Sequence, residues 1–135
     1  MTHPRKPGIT RFANVLLMAL AIVAAAGAAY ASPSNKWRLV VDGSTKLGGE
    51  VELALTPKGG EAISLVVPIA AHTSENSAAS LVRKAFVAKF GKKDYKVEID
   101  DGEDVLVKAK GGTGDFELVV VRNTAEGLNF KLRRE

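Results

Sequence analysis

The sequence predicts an α+β domain: a curved antiparallel sheet of about six to seven strands with one amphipathic helix packed on it, in the order βββ-α-ββββ. Three observations carry this prediction. Apolar residues alternate with period two in seven separate runs. Glycine-rich breaks between the runs favour antiparallel hairpins. Between residues 77 and 90 the apolar period lengthens to that of a helix.

Residues 37–41 form the first strand, with Trp37, Leu39 and Val41 alternating against Arg38 and Val40. Asp42-Gly43-Ser44 and Gly48-Gly49 are turn signals. Val51, Leu53 and Leu55 alternate with Glu50, Glu52 and Ala54 in a half-buried second strand, and Pro57-Lys58-Gly59-Gly60 turns the chain. Ile63, Leu65, Val67 and Ile69 make the third strand. Pro68 has no N–H to give to a ladder, so this strand is expected at an edge or to stop early.

The helix follows a cap. Thr73 or Ser74 can accept a hydrogen bond from the first turn, and Glu75 suits the positive end of the helix dipole. Ala78, Leu81, Val82, Ala85, Phe86 and Phe90 fall within about half the helix circumference, which places Phe86 in the core. Ser80, Arg83 and Lys84 fall outside that arc. Gly91 is the expected residue after the helix, and Lys89 is favoured as a cation in the last turn. Lys89 also projects into the apolar arc, so its ammonium is expected to snorkel past the helix end.

Tyr95, Val97 and Ile99 begin the second set of strands. Asp101-Gly102 is a hairpin signal and predicts a two-residue turn before Val105, Val107 and Ala109. Residues 111–114 turn the chain again. Residues 116–121 are apolar apart from Glu117, which predicts a central strand with both faces partly covered. Residues 123–127 form the last turn, and Leu128, Phe130 and Leu132 the last strand.

The N-terminus reads as an address. Arg5, Lys6 and Arg11 precede a charge-free stretch over residues 12–31 that ends Ala29-Tyr30-Ala31, followed by Ser32. Small residues at 29 and 31 fit a signal-peptidase site between Ala31 and Ser32. The expected organisation is a signal peptide over 1–31, a short polar leader over 32–36 and one domain over 37–135. An uncleaved membrane anchor is the competing reading, since about 20 apolar residues can span a bilayer. The weakly hydrophobic Ala- and Gly-rich second half argues against it. A periplasmic or secreted location follows. With no cysteine in the chain, the domain relies on its core for stability.

Charge narrows the function classes. The formal charge of +4 suggests a polyanion binder. Three of the 19 basic residues and none of the 15 acids precede Ser32, so the remainder carries sixteen against fifteen, or +1. Nucleic-acid binding is not expected, because the basic stretch has only Tyr95 as a stacking platform.

No catalytic, cofactor or metal site is expected. His72 is the one histidine after residue 31, too few for a usual zinc site, and no Ser sits in a G-x-S-x-G elbow. Glu98, Asp100, Asp101, Glu103 and Asp104 crowd one hairpin tip but miss the EF-hand spacing. They read as a solvated tip, with weak calcium binding as the alternative. Their basic counterpart includes Arg83, Lys84, Lys92 and Lys93. The candidate interaction residues are therefore Arg83, Lys84, Lys92, Lys93, Asp100, Asp101, Glu103 and Asp104.

The function expected is a non-enzymatic exported binding or structural module. Its expected partner is a cell-envelope component or a second copy of itself; a membrane enters only if the signal peptide is retained. An inhibitor of a host or rival hydrolase, presenting loop 70–76 or 100–104, is the alternative. A small hydrolase ranks third.

Overall fold

The computed structural model of the chain describes residues 33–135. The expected signal peptide and its cleavage residues Ala29, Ala31 and Ser32 lie outside the described residues. Among those described are eight strands and one helix: β1 (Lys36–Thr45), β2 (Gly49–Pro57), β3 (Ile63–Ile69), β4 (Thr73–Ser74), α1 (Glu75–Phe90), β5 (Tyr95–Asp100), β6 (Asp104–Ala109), β7 (Phe116–Asn123) and β8 (Leu128–Arg134). The class is α+β with antiparallel pairing throughout.

The strands divide into two sheets. In the larger one β1 is central. Residues 37–40 pair with both β6 and β8, so those strands must flank it on opposite sides, with β5 beyond β6. The short β4, absent from the sequence expectation, pairs with the far end of β1 through Thr45 and Thr73. The smaller sheet runs β3-β2-β7. The chain crosses between sheets four times, from β1 to β2, β3 to β4, β6 to β7 and β7 to β8. Helix α1 packs on β1, β5 and β6 of one sheet and on β3 of the other.

Alternation builds the core. Leu39, Val41, Leu53, Val67, Val105 and Leu118 all lie on inward faces with at most 2 % of their surface exposed. The helix adds Ala78, Val82 and Phe86, as its periodicity predicts, and also Ala79, which lies outside the expected arc. Phe86, Phe90, Tyr95 and Phe116 form a chain of rings with centroids 5.4, 6.0 and 5.1 Å apart, the last two contacts edge to face. Trp37 is buried nearby and donates its indole N–H to the Phe116 carbonyl at 2.8 Å. The buried Thr45 accepts from the Gly48 N–H, and Thr73 donates to the Ala70 carbonyl. Neither hydroxyl is therefore buried unsatisfied.

Ser74 is the N-cap, and Glu75 in the first turn also accepts a hydrogen bond from the Gly43 N–H at 2.8 Å. Gly91 ends the helix at φ 73° and donates to the Val87 carbonyl.

Three local expectations change. Asp42-Gly43-Ser44 is not a turn but continues β1. Gly43 is needed for a close crossing: a Cβ there would sit 2.2 Å from the Gly127 carbonyl oxygen. The β5–β6 connection has three residues, because Asp100 pairs with Asp104 and residues 101–103 form the turn. Finally, β7 bonds to β2 alone, apart from an isolated bridge to Ser34, so it ends its row. Its apolar run reflects outward valines that are only partly covered. A bulge opposite Glu52 and Leu53 turns Val121 outward, leaving it 56 % exposed. Pro68 does lie on a terminal strand, as expected, since β3 bonds to β2 alone.

Candidate interaction surface

The two charge clusters have different fates in the fold. The acidic cluster closes on itself through Arg38, which points to the outer face of β1. Its Nη1 donates to Asp104 at 2.8 Å and to Asp100 at 2.9 Å, and its Nε donates to Glu135 at 3.4 Å. Asp100 and Asp104 face each other across the β5–β6 pair, and Asp104 lies opposite Val40 on β1, two residues from Arg38. Register thus brings both carboxylates to one guanidinium. Asp104, then Asp100 and Glu135, hold the Arg38 pKa well above the usual guanidinium value.

The other two acids occupy the turn itself. Asp101 has φ 53°, a left-handed conformation that Asp tolerates, and is exposed. Glu103 is half-buried and lines a shallow polar cleft with Asp42, Asn129 and Lys131. Among the described residues no group of three or more His, Asp or Glu side chains could hold a metal ion.

Glu98 is likewise occupied. Lys96 at 2.9 Å and Lys108 at 3.0 Å hold its carboxyl down to about 2, the Lys96 hydrogen bond contributing most. On the smaller sheet, Arg122 pairs with Glu50 and Glu52.

The basic cluster keeps its charge. Arg83, Lys84, Lys89, Lys92 and Lys93 have no carboxylate within salt-bridge distance among the described residues. Lys84, Lys89, Lys92 and Lys93 are exposed, on the helix and the link to β5. Arg83 reaches sideways instead and donates Nε to the Val97 carbonyl of β5 at 3.2 Å.

Between α1 and β5 runs a groove of about 340 Å³. Val87, Tyr95 and Val97 line it together with Arg83, Lys92, Lys96 and Lys110 and one acid, Glu98, which is paired with Lys96 and Lys108. Lys110 enters from the end of β6, and its ammonium donates to the Lys92 carbonyl. Burial, reinforced by Asp94, raises the Tyr95 phenol above its ordinary pKa, so it stays neutral at physiological pH. The groove therefore combines an apolar floor with a cationic rim. Lys110 was not a candidate from the sequence, where it stands before Gly111-Gly112 much as Lys58 stands before Gly59-Gly60.

The candidate inhibitory loops are rearranged. Of residues 70–76, Thr73 and Ser74 are tied to β1 and the last two open the helix. His72 is exposed at φ 61°, and its N–H donates to the Lys46 carbonyl at 3.3 Å. That bond braces the loop carrying Leu47, which is 81 % exposed and has no counterpart among the sequence candidates. No helix among the described residues is long and apolar enough to cross a membrane.

Compared with known proteins, the chain matches no family model, no curated protein and no solved structure.

Proposed function

We propose that this chain is an exported, non-enzymatic binding module that attaches to an anionic component of the cell envelope through the outer surface of α1 and residues 91–96. One observation supports this reading above others: five cations, Arg83, Lys84, Lys89, Lys92 and Lys93, lack a carboxylate partner among the described residues, while Asp100, Asp104 and Glu98 are already paired. These five cations form a run along the helix and the link to β5, in which Asp94 is the one exposed acid of residues 91–96. Such a run speeds and orients encounter with an anion and is screened by salt.

Co-sedimentation of the protein with envelope glycan and with anionic lipid vesicles, at low and high salt, tests the reading. Binding at low salt that is lost at high salt, and lost in the K92E/K93E double variant, supports it. A protein that binds neither probe in either buffer, and stays monomeric in light scattering, overturns it.

Leu47 favours a second reading, inhibition of a hydrolase. A large apolar side chain on a braced, protruding loop can fill a partner's pocket. Loss of inhibition on Leu47→Ser in a panel of exported hydrolases would select this reading over the first.

A further inference from the structure

Strand β5 ends its row in the larger sheet, next to β6. The Lys110 N–H donates to the Asp94 carbonyl, so the backbone of Asp94 faces β6. With period two, residues 96, 98 and 100 face β6 as well. The backbone groups of Tyr95, Val97 and Ile99 then face away from the sheet. Arg83 agrees with this phase, since its Nε caps the outward Val97 carbonyl at 3.2 Å. Ile99, on the same strand, is 37 % exposed.

We propose that this edge captures an acidic, extended polypeptide segment by strand addition. The inference rests on the binding-module reading and names its partner class. Backbone hydrogen bonds from the incoming strand would engage Tyr95, Val97 and Ile99, as in other edge-binding modules. One face of that strand would lie over Val87 and Val97 in the groove, which calls for apolar residues at alternate positions. Its carboxylates would meet Arg83, Lys92 and Lys110 on the rim, since Lys96 is already paired with Glu98. Arg83 gives the edge its selectivity. A neutral strand must displace Arg83 from the Val97 carbonyl and offers its guanidinium only an uncharged acceptor in return. An acidic strand displaces the same bond and supplies a carboxylate, a charge-assisted bond stronger than the one lost.

The test uses four synthetic peptides and the full protein: one alternating Glu and Val, one alternating Gln and Val, and two Glu–Val peptides with every second amide N-methylated, one in each of the two possible phases. Binding is followed by backbone amide shifts and by hydrogen exchange. The Glu–Val peptide should bind with slowed exchange at Tyr95 and Ile99. It should bind at least tenfold more tightly than the Gln–Val peptide, and one N-methylated phase should not bind. Arg83→Ala should narrow the Glu-to-Gln preference, while Arg133→Ala, on a distant strand, should leave it unchanged. Equal binding of both N-methylated peptides would mean charge attraction alone and would overturn strand addition. Equal binding of the Glu and Gln peptides would overturn acid selection. If envelope glycan or vesicles bind and no peptide does, the proposal fails while the broader reading stands.

Discussion

Arg38 and Asp104 meet with Nη1 and Oδ2 2.8 Å apart on the outer face of the larger sheet, and Asp100 shares the same nitrogen at 2.9 Å. One guanidinium thus fastens β1 to the β5–β6 hairpin. Its side chain is only 18 % exposed. Arg38→Met should lower unfolding stability by ~1–2 kcal/mol, the scale of charge-assisted bonds near a surface. Arg38→Lys should restore less than half, because an ammonium lacks the planar fork. Urea unfolding measures both, and a lysine variant as stable as the parent would contradict the fork argument.

Acid should weaken the fold through Glu98 and Glu135. Both carboxyls lie below their ordinary pKa of 4.5, Glu98 at about 2 through Lys96 and Lys108, and Glu135 through Arg38. A depressed folded-state value means the unfolded chain takes up protons first. Stability from these groups is present above about pH 4.5 and is lost as pH falls toward about 2. The urea midpoint should decline across that window, and Glu98→Gln should make the decline shallower. High salt should do the same, because the partners are exposed.

Phe86→Ala should cost ~3–5 kcal/mol, as truncations of buried Phe do. The ring is 1 % exposed and begins the aromatic chain to Phe116. A loss under about 1 kcal/mol, far below that range, would show that the helix does not dock through this face.

Gly127→Ala should be much worse than Gly59→Ala, although both glycines have positive φ, 98° and 78°. A Cβ at Gly59 meets nothing within 4 Å, whereas one at Gly127 sits 2.1 Å from the Ser44 carbonyl oxygen. Gly59→Ala should cost about 1–2 kcal/mol, the strain of a left-handed alanine. Gly127→Ala adds a backbone clash and should leave no cooperative transition. Equal midpoints for the two variants would refute the close crossing.

The exported chain should begin at Ser32. Its intact mass settles the point. A species retaining residues 1–31 in the membrane fraction would instead make the N-terminus an anchor.

What the sequence made legible follows the range of the physics. Leu39, Leu53, Val67 and Phe86 could be placed inside because burial period is a local property of strand and helix. Arg83, Lys84, Lys92 and Lys93 could be grouped because they are neighbours in the chain. The pairing of Asp100 and Asp104 with Arg38 was hidden, since it depends on register between β1 and β6, more than sixty residues apart. Gly43 looked like a turn for the same reason: only the later Gly127 shows why a strand needs it. Val119 and Val121 misled by composition, because a terminal strand can carry apolar residues outward when a bulge re-aims them.

The pairing of β1 with β8 sets an order of events for the nascent chain. Trp37 faces Arg134 across that ladder, so the central strand of the larger sheet lacks one neighbour until nearly a hundred residues more have appeared. A chain emerging vectorially, from a ribosome or through a translocation pore, cannot close this sheet early. Such distant pairing also raises contact order, which puts refolding at about milliseconds to seconds rather than microseconds. The single tryptophan reports it directly: stopped-flow fluorescence of Trp37 should rise or fall on that slower timescale, and a microsecond phase carrying the whole amplitude would exclude late closure.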